Sequence, residues 1–420
     1  MPNICSGRSM AERLRIDRLG HRGDGIAETP EGPVYVPFTL PGEVVSVNRS
    51  GERAELVEVV APGPARVEPV CAHFGVCGGC TVQHLGRADQ LSWKRDLVAG
   101  ALRQRGLDIS VEDPVTVPER SRRRAVFAAR RVGREIVLGY RERHAHRIVP
   151  VAECPVVLPG IADALPLLRE WLAPLVPRKQ VLRVAVTATA TGLDIALEGI
   201  PEPDPAVVAK LAGSRPAGLD VARLSVHGEP VLANAEPVIE IGGIAVDLPP
   251  ASFLQAVEAA ETAMADLVTA WLDGASAIAD LYAGLGAFAL RLARIAPVTA
   301  VESDRAALDA LAMAARRASG LKAVETLRRD LDRQPLSARE LARFSALVLD
   351  PPRAGAKAQA EVIARARVRR VAAVSCNPAT LARDLRILVD GGYRLRRVVP
   401  VDQFIHSAHI EAVALLETDE

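Results

Sequence analysis

Short apolar runs recur along the C-terminal part of the chain, at residues 277–281, 298–302, 346–350 and 371–375. Between them lie segments whose apolar positions repeat with helical spacing, at 287–295, 305–319, 358–366 and 378–388. Apolar runs without polar alternation are strands covered on both faces, so this alternation predicts an α/β domain with a mostly parallel sheet between helices. The N-terminal pattern is different. Residues 13–19, 33–40, 43–48 and 54–60 read as short strands, with a glycine-rich stretch at 20–25 after the first, which predicts a small β-barrel. Pro62-Gly63-Pro64 ends that unit. A helix is predicted at 88–104, and residues 180–240 mix strand and helix patterns. The predicted division is a barrel at 1–65, a central mixed α+β domain at 66–244 and the α/β domain at 245–420.

Composition adds limits. A chain of 420 residues has room for two or three domains at roughly 150 residues each. Lys plus Arg number 52 and Asp plus Glu 51, a formal charge of +1 that excludes a disordered or polyionic tail as the main feature. No long charge-free apolar stretch and no signal-like start occur, so a soluble cytoplasmic protein is expected. The charge is unevenly placed. Residues 119–147 hold ten arginines against three glutamates, a local excess of +7 that suits a polyanion such as nucleic acid, or else a solvated strand face.

Three motifs carry chemistry. Cys71, Cys77 and Cys80 crowd into one short segment, which in a reducing compartment reads as metal ligation. With the distant Cys154 the set fits tetrahedral zinc or a four-iron cluster, since both take four thiolates. The turn Ala283-Gly284-Leu285-Gly286-Ala287 sits between a strand and a helix, with Glu302 ending the next strand 18 positions after Gly284. That spacing suits ribose hydroxyls and could serve NAD, FAD or S-adenosylmethionine. Asp350-Pro351-Pro352-Arg353 and Ser375-Cys376-Asn377-Pro378 follow the next strands, where an open parallel sheet delivers residues into its crevice. Asp-Pro-Pro at a strand end is a device common to base methyltransferases, which favours S-adenosylmethionine.

Cys376 precedes a predicted helix start, and a helix N-terminus favours thiolate. A nucleophile beside S-adenosylmethionine is needed for methylation at pyrimidine C5, which becomes nucleophilic only after addition at C6. The C5 proton must then be removed by a base. Glu411, ahead of an apolar strand at 412–416, is available, although by itself it reads equally as a surface charge beside an edge strand.

Taken together, these residues resemble the uracil-5 RNA methyltransferase family, in its bacterial 23S ribosomal RNA branch, along nearly the whole chain. Leu19–Ala27 with Val36–Glu43 resembles a TRAM domain, an OB-like RNA-binding barrel, and Cys71 to Leu85 resembles the family's cluster loop. The resemblance implies a [4Fe-4S] cluster on Cys71, Cys77, Cys80 and Cys154, with Cys5 left as an ordinary thiol. It implies Cys376 as nucleophile, Glu411 as proton acceptor, and Gln255, Tyr282, Glu302, Asp330 and Asp350 as S-adenosylmethionine ligands, with Arg353 and Asn377 orienting the crevice loops. Ala287, Ile405, Ser407 and Ala145 depart from the family pattern, at none of the groups the reaction requires. The expected activity is methylation of uridine C5 in 23S rRNA by a monomer without protein partners. The alternatives are the same chemistry on the tRNA T-loop, or a non-catalytic iron–sulfur protein that binds RNA or senses redox state.

Overall fold

The computed structural model describes residues 12–143, 145 and 147–418, so Cys5 lies outside the described residues. The N-terminal sheet has six strands in the order Glu12–Arg15, Val44–Ser50, Arg53–Ala61, Gly32–Val36, Gly25–Thr29 and Arg18–Leu19. Its two edge strands are separated in the chain only by Ile16 and Asp17. The amide of Ile16 donates to Glu43 and that of Asp17 to Ile26, each at 2.9 Å, so the sheet curls until its edges meet. Inward positions Ile16, Val34, Val36, Val45 and Val47 are fully buried inside it. A second sheet of seven strands, between Arg124 and Ala233, packs under the helix Pro159–Trp171.

The C-terminal sheet has eight strands in the order Val324–Arg328, Val298–Glu302, Ile278–Leu281, Ala346–Leu349, Arg370–Ser375, Glu411–Thr418, Tyr393–Asp402 and Val115–Thr116. The first five are parallel, and Glu411–Thr418 runs antiparallel to both its neighbours. Side-chain alternation supplies two cores. Ala279, Leu281, Leu347, Leu349, Val371 and Ala373 face the helices Arg87–Arg103, Lys357–Ala366 and Pro378–Asp390. Ile278, Val298, Ala300, Val348, Ala372 and Val374 face the helix Glu258–Leu272. Covering on both faces explains why these strands read as continuous apolar runs.

Packing departs from the expected division of the chain in two places. The helix Arg87–Arg103 and the strand Val115–Thr116 build the C-terminal body, through Val98, Leu102 and pairing to Val401, rather than a unit spanning 66–244. The hairpin Val238–Ile241/Ile244–Asp247, which a boundary at 245 would split, packs against the helix Arg305–Arg317. Sequence order hides both, because each segment begins ahead of the stretch 245–420 and joins that body from outside it. The helix expected at 287–295 is also shorter. Its regular part is Ala289–Leu292, after which Leu292 accepts from both Ile295 and Ala296 and Pro297 stops it. Among the described residues no helix is long and apolar enough to cross a membrane.

Candidate active site

Strand register brings Cys376 and Glu411 together. Ser375 pairs with Ala412 across two antiparallel strands, so Cys376, just after the first strand, and Glu411, the first residue of the second, face one another at the end of the sheet. Both line a cavity of about 480 Å³ beyond the carboxyl ends of the parallel strands, together with Gln255, Tyr282, Glu302, Asp330 and Asp350. A cavity of this size is in the range of small-molecule cofactor sites. All seven residues expected at the methyl-transfer site therefore converge in the fold.

The glycine turn is shaped as its sequence suggests. Gly284 and Gly286 have φ of +53° and +91°, and a Cβ on Gly286 would lie 2.7 Å from Leu311, so the turn closes only with glycine there. Gly284 donates its amide to Glu302 at 3.1 Å, which ties the turn to the end of the next strand. Tyr282 is held at φ +64° with its hydroxyl donating to Asp332 at 3.0 Å, an uncommon backbone state for an aromatic residue. Asp330 caps its own turn by accepting from the amides of Asp332 and Arg333.

Burial dominates the electrostatics of the reactive end. It pushes Asp350 up to about 7, against the amide of Gln255 that donates to it at 3.0 Å. It pushes Glu411 up to about 8, with the neighbouring Asp350 adding to the rise and Gln403 and Arg353 opposing it. The Cys376 thiol is pushed up to about 11 by burial, then by Glu411, with Arg353 opposing. The helix Pro378–Asp390 does begin where expected, with Asn377 as its cap. Its field is outweighed by burial and by the carboxyl groups of Glu411 and Asp350, which raise the thiol.

Asn377 has a second role. Its side-chain amide donates to the carbonyl of Arg353 at 3.0 Å, and Thr380 donates to the same oxygen at 3.2 Å, so the two crevice loops are stitched together. Sequence reasoning missed Gln403. Its side chain accepts from the amide of Val257 at 3.0 Å and donates to Gln255 at 3.0 Å and to Glu411 at 3.3 Å, joining the cofactor side of the cavity to the carboxyl group. The only available signal was its place in the segment 402–410 that leads to Glu411.

The four cysteines gather in a second place. Cys71, Cys77, Cys80 and Cys154 line a cavity of about 90 Å³ with Gln83, Arg122 and Tyr140. Gly78 donates to the carbonyl of Arg141 at 2.9 Å, and a Cβ there would come within 2.8 Å of that oxygen, so the loop's glycine is a packing requirement. Burial pushes the Cys71 and Cys77 thiols up, and Cys80 up to about 12. Among the described residues no three His, Cys, Asp or Glu side chains converge as a single metal ion would need; the thiols ring a cavity instead.

The arginine-rich segment divides. Arg123 is buried against Glu261, Arg131 donates to the carbonyl of Ala173, Arg143 pairs with Asp24 and Arg147 with Glu142, so these serve the fold. Arg120, Arg130, Arg134 and Arg141 are exposed and have no ion pair among the described residues. Arg122 lies over the Phe404 ring at 5.2 Å and Arg124 over Phe253 at 5.9 Å. Phe253 is 66% exposed at the mouth of the larger cavity.

An open sheet with its cavity beyond the strand ends is how α/β folds bind nucleotide-like ligands, S-adenosylmethionine among them. The family model tRNA (Uracil-5-)-methyltransferase matches residues 244–419. An uncharacterized RNA methyltransferase of Rhizobium meliloti is 47% identical over 413 residues, covering 96% of this chain and 99% of the relative. The 23S rRNA (uracil(1939)-C(5))-methyltransferase RlmD of Vibrio parahaemolyticus is 31% identical over 425 residues, 97% of this chain and 96% of the relative. Among solved structures, the Pyrococcus abyssi tRNA (uracil-54, C5)-methyltransferase in complex with S-adenosyl-L-homocysteine superposes with a TM-score of 0.76. It is 23% identical and covers 98% of this chain and 100% of that one, a likeness of fold. The chain belongs to the RNA (uracil-5-)-methyltransferase family and is an S-adenosylmethionine-dependent enzyme. Family membership sets aside the non-catalytic alternative.

Proposed function

We propose that this protein methylates C5 of a uridine in 23S rRNA through a covalent adduct at C6, with Cys376 as nucleophile and Glu411 as proton acceptor. The observation that carries the reading is the register that sets these two groups opposite each other on the wall of the larger cavity. Substrate choice rests on the 31% identical relative, named for 23S rRNA; the tRNA enzyme shares the fold at 23% identity.

Gln255, Tyr282, Glu302, Asp330 and Asp350 would hold S-adenosylmethionine. That cosubstrate supplies an electrophilic methyl group and a positive sulfonium, which favours the ionised forms of the acids around it. Cys376, once deprotonated, adds to C6, and the C5–C6 electron pair becomes the enolate pair that attacks the methyl carbon as its bond to sulfur breaks. Glu411 as carboxylate takes the C5 proton. The released pair restores the C5–C6 double bond and expels the Cys376 thiolate. Gln403 holds the carboxyl group in place, and Arg353 counters the two carboxyl groups beside the thiol. A base in a duplex cannot reach Cys376, so the uridine is taken out of its stack. Exposed Phe253 beneath Arg124 offers a stacking face for an unpaired base at the entrance.

The cysteine cavity, about 90 Å³ and lined by all four thiols, suits a group with volume held by four thiolates. A [4Fe-4S] cluster on Cys71, Cys77, Cys80 and Cys154 is our reading, and its positive irons would stabilise thiolates that burial disfavours. The curled N-terminal sheet is read as the TRAM domain, ending near residue 65, and exposed Arg120, Arg130, Arg134 and Arg141 as RNA contacts in a cytoplasmic monomer.

The test is tritium transfer from methyl-labelled S-adenosylmethionine into unmodified 23S rRNA and, separately, unmodified tRNA, with nucleosides resolved afterwards. Label in 5-methyluridine from rRNA alone is expected. Label from tRNA alone would overturn the substrate assignment while keeping the chemistry.

A further inference from the structure

The two cavities share a wall. Residues 403–410 connect the strand Tyr393–Asp402 to the strand Glu411–Thr418, and present Ile405 and Ser407 to the four cysteines. Gln403, in the same segment, bonds both Gln255 and Glu411 on the methyl-transfer side.

The segment is gripped from the cysteine side. The amides of Thr81 and Val82, immediately after Cys80, both donate to the carbonyl of His406, at 2.8 and 3.1 Å. His406 is buried and held at φ +60°, a state a non-glycine residue keeps only when its surroundings impose it. Buried Gln90 donates to the carbonyls of Val82 and Leu85, at 3.1 and 2.7 Å, and its side-chain nitrogen lies 3.4 Å from Nδ1 of His406. One turn along the same helix, fully buried Lys94 binds the carboxylate of Asp402 and the carbonyl of Phe404, and Arg87 takes the other oxygen of Asp402.

We propose that Gln90, Lys94 and His406 are positioning residues that transmit the arrangement of the cysteine loop to Gln403 and Glu411. What fills the cysteine cavity thereby sets where the proton acceptor stands. A shift of His406 moves Gln403 three residues earlier in the chain, and Gln403 has no slack: its side chain is bonded to Gln255 and Glu411 on the cavity wall and to the amide of Val257 in the core beside it. The role of Glu411 here rests on the function proposed above; the mechanical link does not.

Hydrogen–deuterium exchange on full-length, anaerobically purified protein tests it, with iron content measured on the same samples. Gln90→Leu, which leaves every cysteine in place, is expected to raise exchange across residues 402–411 about fivefold, with residues 278–302 unchanged and iron retained. Cys80→Ala is expected to give the same loosening with iron lost. Both variants should accumulate covalent protein–RNA adduct during turnover, because proton removal is the step that Glu411 serves; a merely destabilised protein would not. Unchanged exchange at 402–411 in a folded Gln90→Leu protein overturns the link whatever the iron content. Wild-type protein free of iron overturns the cluster reading instead, and the Gln90→Leu comparison still decides the link.

Discussion

The two cavities are built on opposite plans. The larger cavity stands on strand ends, and the pairing of Ser375 with Ala412 alone is enough to oppose Cys376 and Glu411. The cysteine cavity is made of loops, three of its thiols from one irregular segment and the fourth from a loop far along the chain. A sheet can hold buried acids that disfavour one another, here Asp350 at about 7 and Glu411 at about 8, because packing on both faces leaves the strands no room to move apart. Loops have no such frame and depend on whatever links their side chains. On the proposed reading, reactivity is placed where geometry is rigid without help, and a bound group where geometry needs it.

The largest expected effects lie on the rigid side. Cys376→Ala should lower turnover by at least about 10⁴-fold, measured by tritium transfer, with affinity for S-adenosylhomocysteine changed by less than about threefold. Turnover within tenfold of wild type would remove the covalent route. Glu411→Gln should still form the methylated adduct but release it slowly. A loss of about 10³-fold in steady-state turnover is expected, with a denaturation-resistant protein–RNA species on gels. On the loop side the loss should appear in stability. Cys154→Ser is expected to lower Tm by about 10 °C and to abolish bound iron. An unchanged Tm would mean that the loops stand by themselves and that the contrast between the cavities is false.

The legible parts of the sequence were those where local pattern and tertiary role coincide. The strand Val298–Glu302 and the start of the helix at Pro378 were readable to the residue, since doubly covered strands are continuously apolar and Asn377-Pro378 is a helix start by chemistry. Gln255, Glu302 and Asp350 were found through a family pattern, and the fold then brought them to one cavity. What sequence hid is of one kind. The strand Val115–Thr116 joins the C-terminal sheet from outside its own stretch of chain. Gln403 matters through a partner 148 positions away. Cys376 meets a buried Glu411 that no local signal reveals. The arginine excess at 119–147 hid its own division for the same reason, since Arg123 and Arg143 spend their charge on Glu261 and Asp24 while Arg120, Arg130, Arg134 and Arg141 stay exposed.

The smallest expected effect isolates what the rigid frame tolerates. Burial raises Glu411 from 4.5 to about 8, so the folded protein holds this carboxyl protonated across a range where the unfolded chain has released it. A raised folded value means the contribution to stability is fully present below about pH 4.5 and lost as pH rises through about 8. Glu411→Gln keeps the shape and cannot ionise. At about pH 5 the variant should melt close to wild type. At about pH 9 it should melt higher, by on the order of 2 kcal/mol or about 4 °C, because the wild type then carries a buried negative charge beside Asp350. Thermal melts of both proteins at the two pH values decide it. Equal melting at both would show that Glu411 ionises as freely as an exposed carboxylate. The sheet end would then be an open surface, and the cysteine-side grip on residues 403–410 would be the sole restraint on Glu411.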